Sequence, residues 1–266
     1  MSPAAQAEVA PQPEEIYERT REEGRRRLSR PILELAATAL VGGFDVAFGV
    51  AAYALATGAV DAQARSGVAM LVGSVAFGIG FVFVVVGRSE LFTENFLVPI
   101  AGLEGRNRQS WLKLVELWAA ALVLNLVGGA VVAILLTSKG VLVGDSHPAV
   151  VGLAERLGSY GVLTAFLSAI VAGALMTLMT WFVEGAAPSM GVRIVMSWIV
   201  GAVIVLGTFN HAIVSTIEIV FGMRYGADLS IGDLFANLGL AVGGNLVGGL
   251  LLVTFARTAQ AFAASS

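Results

Sequence analysis

Phe77-Gly78-Ile79-Gly80-Phe81-Val82-Phe83-Val84-Val85-Val86-Gly87 runs straight into Arg88-Ser89-Glu90-Leu91-Phe92-Thr93-Glu94-Asn95, and apolar sequence resumes at Phe96-Leu97-Val98-Pro99-Ile100. The first segment has the composition of a helix in lipid. The second puts Arg88, Glu90 and Glu94 at membrane depth, where each charge costs a few kcal/mol in hydrocarbon. A continuous lipid-facing helix does not accommodate three of them, so the helix breaks. Irregular backbone at that depth survives only where protein buries it or water bathes it.

Working outward, six stretches have the roughly 20 apolar residues that a helical crossing needs: Pro31–Thr57, Val68–Gly87 with its extension to Ile100, Trp111–Thr137, Leu157–Val183, Val192–Phe221 and Leu234–Ala256. The whole chain agrees: of 266 residues, 57% are hydrophobic and 13% charged, against about a quarter charged in a soluble domain. Mean hydropathy is +0.83, and 32 glycines allow close helix packing. A net charge of -3 offers no basic face to nucleic acid, and with no cysteine there is no disulfide or thiolate metal site. No cofactor or metal is expected.

Asn125-Leu126-Val127-Gly128-Gly129 in the third stretch recurs as Asn245-Leu246-Val247-Gly248-Gly249 in the sixth, an offset of 120 residues. The same offset lays Ser89-Glu90-Leu91-Phe92-Thr93 over Phe209-Asn210-His211-Ala212-Ile213, so the two stretches with polar interruptions correspond. Three helices per half invert the second half in the membrane, giving a 3+3 inverted repeat whose broken second and fifth helices meet at a permeation route. The expected divisions are a hydrophilic arm (1–30), a first membrane repeat (31–140), a loop (141–158), a second repeat (159–257) and a short tail (258–266). The arm reads as a short solvated helix with interspersed charges. Lys and Arg crowd one side of the spans, including Arg25, Arg26, Arg27, Arg106, Arg108, Lys113 and Arg193, against Arg65, Lys139, Arg156 and Arg224 on the other. Both termini are then cytoplasmic, in a multi-pass protein of the inner (plasma) membrane.

His211 lies in the second break. One reading is a histidine hydrogen-bonded between helices; the sharper one is a titratable group in a pore, since imidazole changes charge near neutral pH. Asp45 fits helix packing or the pathway equally. The simplest reading of Arg88 is an ion pair with Glu90 or Glu94 that holds the loop, and attraction of anions by Arg88 is the lesser one. Phe77 and Phe81 read as core aromatics or as a constriction.

With Gly87-x-x-Glu90-Leu91-Phe92-Thr93-x-Asn95, Gly207-Thr208-Phe209-Asn210-His211 and the two Asn-Leu-Val-Gly-Gly segments, the chain resembles the formate/nitrite transporter family over Pro31 to Ala256. The resemblance implies an aquaporin-like six-helix protomer in a homopentamer, with one pore per protomer for a small monovalent anion or its conjugate acid. It places His211 on the central pore histidine, Thr93 on the loop threonine facing it and Leu91 on the loop leucine that narrows the pore. Phe77 and Phe81 fall on apolar constriction positions, Ile204 where many members have an aromatic constriction, and Asn210 where better-known members have an acidic residue. Ser215 and Gly173 replace family asparagines, and Arg156 is the nearest cation to the expected vestibule lysine, so the chain looks like a divergent branch. Rival readings are a neutral-solute pore, against which neither break carries an Asn-Pro-Ala triplet, and a non-conducting scaffold. An intramembrane enzyme lacks any convergent catalytic motif.

Overall fold

A computed structural model describes residues 11–60, 66–105 and 108–264. Arg65, Arg106 and the first ten residues of the arm lie outside them. The described residues are helical, without strands: α1 (Pro13–Leu28), α2 (Ile32–Ala59), α3 (Ser66–Gly87), α4 (Val98–Ala101), α5 (Arg108–Leu136), α6 (His147–Gly158), α7 (Val162–Gly185), α8 (Met190–Leu206), α9 (Val214–Arg224), α10 (Ile231–Leu246) and α11 (Phe255–Ala264). A 3-10 segment, Phe92–Phe96, precedes α4, and a π-helical segment, Val247–Thr254, joins α10 to α11.

Helices α2, α3, α5 and α7, and the run Ile231–Ala263, are each long and apolar enough to cross a membrane. At 1.5 Å per residue the 17 residues of α8 fall short of a hydrocarbon core of about 30 Å, and the 11 residues of α9 complete that crossing. The chain is a polytopic membrane protein. Large apolar side chains such as Leu33, Leu163 and Phe255 are exposed around its outside, where lipid would cover them.

Close approach of α2 to α5 and of α7 to the π-helical segment builds the two halves alike. A Cβ on Gly128 would strike the Leu40 carbonyl, and one on Gly248 the Ile170 carbonyl. The first helices of the halves are thus offset by 130 residues (Leu40 to Ile170), while the pieces after the breaks keep the 120-residue offset.

Three boundaries differ from the sequence reading. The loop expected over 141–158 carries α6, and the fourth span starts at Val162, because Ser159–Gly161 turns the chain between the two helices. The tail expected from 258 continues as helix to Ala264, with Phe262 packed on Tyr17 at 5.5 Å. The arm is no free solvated helix. Pro13 presets its first turn, Glu14 and Glu15 sit at its positive end, and Arg25, Arg26 and Arg27 at its negative end. It then docks on α4 so closely that a Cβ on Gly24 would meet the Val98 carbonyl and Gly102. The surface bearing α1 is called the arm face below, and the one bearing α6 the far face.

Candidate functional site at the paired breaks

Each break opens on a glycine followed by a left-handed residue, Gly87-Arg88 (φ 57) and Gly207-Thr208 (φ 49). A non-glycine residue there costs about 1–3 kcal/mol and persists only where surrounding contacts hold it. Those contacts come from the repeated asparagines. Asn125 Oδ1 accepts from the Phe92 N–H (2.8 Å), and its Nδ2 donates to the Ala39 and Glu90 carbonyls (2.6 and 2.9 Å). Asn245 Oδ1 accepts from the Ala212 N–H (2.9 Å), and its Nδ2 donates to the Ala169 and Asn210 carbonyls (2.8 and 3.0 Å). Phe92 pairs with Ala212 and Glu90 with Asn210 at the 120-residue offset. One side-chain amide in each half thus replaces the backbone partners that the break removed.

Between each clamped carbonyl and N–H stands one residue, Leu91 in the first break and His211 in the second, both fully buried. His211 Nδ1 accepts from the N–H groups of Ile213 (3.3 Å) and Val214 (3.1 Å). A ring nitrogen that accepts two backbone N–H groups carries no hydrogen, so the ring hydrogen is assigned to Nε2. Nε2 lies 2.7 Å from Thr93 Oγ1 and donates to it across the two breaks. Phe81 stands 6.3 Å from the imidazole, ring centre to ring centre, and Phe77 packs edge-on against Phe81 at 5.6 Å. Ile204 is also fully buried, one turn before the second break. The imidazole is set among apolar side chains with a single polar neighbour outside its own backbone.

Several expected residues sit elsewhere. Asn210 turns to α10, exchanging two hydrogen bonds with Asn237 (2.9 and 3.0 Å). Asp45 accepts from the Ser89 hydroxyl at 2.5 Å and so anchors the start of the first break. Glu94 Oε2 caps the 3-10 segment by accepting from the Leu91 N–H at 2.9 Å. The ion pair expected of Arg88 is absent: Glu90 bonds Arg30, with Arg27 at 3.8 Å. The left-handed turn carries Arg88 outward instead, into a cavity of about 120 Å³ on the arm face that is also lined by Ser89, Glu94 and Arg193.

The arm supplies contacts that sequence reasoning missed. Arg30, 5% exposed, bonds the 1%-exposed Glu90 carboxylate, and Arg27 donates to Asn95 Oδ1 at 2.9 Å. Glu23 joins them: burial opposes its charge, but the hydrogen bonds and charges of Arg26 and Arg27 outweigh burial and hold its carboxyl down at about 2. No local motif marks Glu90 as their partner, since 60 residues separate it from Arg30.

The family profile described as "Formate/nitrite transporter" matches residues 14–259. The chain is 25% identical over 248 residues to the "Inner membrane protein YfdC" of Escherichia coli (strain K12), covering 92% of this chain and 77% of that one. It is 27% identical over 160 residues to the "Formate channel FocA" of the same strain, covering 59% of this chain and 55% of the other. A solved "Pentameric formate channel with formate bound" superposes with a TM-score of 0.72 at 22% identity, over 85% of this chain and 96% of that one. With paired breaks, their asparagine clamps and a profile match across nearly the whole membrane body, this chain belongs to the formate/nitrite transporter family.

Proposed function

We propose that the protein is a channel or transporter for a small monovalent anion or its conjugate acid, with the pathway inside each protomer. The observation that carries this reading is the 2.7 Å contact between His211 Nε2 and Thr93 Oγ1, which joins the two breaks within an apolar surround. A bare anion crossing between Phe77, Phe81, Leu91 and Ile204 would lose its hydration at great cost, whereas a neutral acid would not. The imidazole can lend a hydrogen bond, or transiently a proton, to the permeant at that point. No covalent step is needed. The "Formate channel FocA" relative supports the substrate class.

The same reading takes the functional assembly as a homopentamer, which the solved pentameric relative supports. It takes the arm face as cytoplasmic, since Arg25, Arg26, Arg27 and Arg193 lie there, and the membrane as the inner one, as the name of the YfdC relative supports.

The test is uptake by proteoliposomes of formate, nitrite and hydrosulfide, with water and glycerol as neutral solutes. Saturable uptake of at least one anion above empty liposomes is expected, with glycerol excluded. Passage of neutral solutes alone would favour the aquaporin-type reading, and no flux at all the scaffold.

A further inference from the structure

His211, Ser215 and Glu218 lie four and three residues apart and so share one stripe of α9 and the turn before it. The helical bonding already begins at His211, whose carbonyl accepts from the Ser215 N–H at 2.9 Å. Glu218 follows His211 by seven residues, about 10 Å further toward the far face at 1.5 Å per residue. Its side chain is 3% exposed, and its Oε1 is buried without a hydrogen-bond partner. Thr208 Oγ1, also buried without a partner, belongs to the same half, and the Tyr160 hydroxyl donates to the Thr208 carbonyl at 3.1 Å.

No ion pair among the described residues involves Glu218. The titratable groups near it are Tyr53 from α2 and Tyr160 beyond α6, and the exposed Arg156 of α6 lies near those two tyrosines. Others on the packed elements are engaged or exposed: His147 stacks on Tyr225 at 3.8 Å, Arg224 donates to Thr137, Asp233 caps its own helix, and Glu155 is exposed. Tyr53 and Arg156 also line a cavity of about 340 Å³ on the far face, which brings water to this end of the bundle. A carboxylate without a cation in such a site costs several kcal/mol, a cost that the proton-bearing carboxyl escapes.

We propose that Glu218 is the proton-exchange group of the far-face half of the pathway, handing protons from far-side water to anions that come in from that side. The inference rests on the channel reading above. An incoming anion takes the carboxyl proton and moves on toward His211 as the neutral acid. The carboxylate left behind takes a proton from hydronium of the far-side water, releasing water. One O–H bond breaks and one forms at each transfer, and charge balances with one proton carried per anion.

The test is initial formate uptake by proteoliposomes with the far face outward, at fixed lumen pH and varied outer pH, after subtracting empty liposomes. The parent is expected to gain up to about tenfold per unit of outer acidification, following hydronium. Glu218→Gln is expected to gain less than about twofold, while Glu218→Asp keeps the parent's dependence at a lower rate. A second measurement is time-resolved: adding formate to the reconstituted parent at alkaline outer pH, where hydronium restores the proton slowly, should transiently deplete an infrared band of a protonated carboxyl that Glu218→Gln lacks. A parent-like pH dependence in Glu218→Gln, or no loss of that band, overturns this inference and leaves the channel reading intact. A parent that takes up no anion overturns both.

Discussion

Replacing Asn245 by alanine removes three hydrogen bonds at once, leaving the Ala212 N–H and the Ala169 and Asn210 carbonyls without their side-chain partner. An orphaned buried polar group costs about 1–3 kcal/mol, so the loss should be at least about 3 kcal/mol and could approach about 9 if the loop does not relax. For a chain of this size each kcal/mol moves the melting temperature by roughly 2–4 °C, which puts the shift at about 6 °C or more. The repeat supplies an internal control, because Asn125→Ala orphans the equivalent Phe92, Ala39 and Glu90 groups. The two variants should fall by similar amounts. Asn245→Asp should not rescue, since it keeps the acceptor for Ala212 but faces two carbonyls with no donor. Thermal unfolding of detergent-purified protein, followed by tryptophan fluorescence and size exclusion, reads all three. An alanine variant of either asparagine that melts within about 2 °C of the parent would show that the breaks do not depend on these clamps.

The remaining predictions concern the arm and the helix contacts. Arg30→Ala removes the hydrogen bond to the buried Glu90 carboxylate and leaves it only the longer Arg27 contact at 3.8 Å, which should cost about 1.5–3 kcal/mol, partly restored by adding Glu90→Gln; Arg88→Ala, which breaks no ion pair, should change the same melting curve by under about 1 kcal/mol. Gly173→Ala drives a Cβ into the backbone of Asn245 and should lose about 1–3 kcal/mol in thermal unfolding. Glu23 is held at about 2 against an ordinary 4.5 by Arg26 and Arg27 of its own helix, so its contribution to the folded α1, roughly 3 kcal/mol, is full above about pH 4.5 and is lost as pH falls through about 2. Amide exchange of α1 should therefore stay slow down to about pH 5, while Glu23→Gln speeds it at neutral pH; fast exchange in the parent at about pH 5 would contradict this.

Much of the fold was legible because membrane burial leaves a coarse signal. Charges at Arg88, Glu90 and Glu94 after an apolar run can only mean a break, and one repeated pentapeptide fixed which break matches which. The asparagines in that pentapeptide were visible, but their work as clamps was not, since it depends on three backbone groups from two other elements. Arg30 and Glu90 could not be paired from sequence for the same reason: both lie in segments full of alternative partners, and the left-handed Arg88 that takes its own side chain outward is a backbone state no side-chain pattern announces. Asn210 is a pathway candidate only through its place where family members carry an acidic residue, yet adjacent residues in a broken segment point apart, and Asn237 takes its side chain. Helix α6 was hidden in a stretch read as loop, where Gly144 and Pro148 mask its short apolar face.

The central claim is that His211, bonded to Thr93 across the two breaks, is the polar station of an anion pathway. Formate uptake into proteoliposomes by His211→Phe and His211→Asn, each checked for intact assembly and compared with the parent from about pH 5 to about pH 8, tests it most directly. The phenylalanine variant removes the imidazole N–H from the constriction, leaving only the Thr93 hydroxyl, and should lose uptake by about tenfold or more. The asparagine variant keeps a donor and should retain measurable uptake. If both variants take up formate at the parent's rate over the whole range, the imidazole is a packing residue and the account of the pathway is wrong.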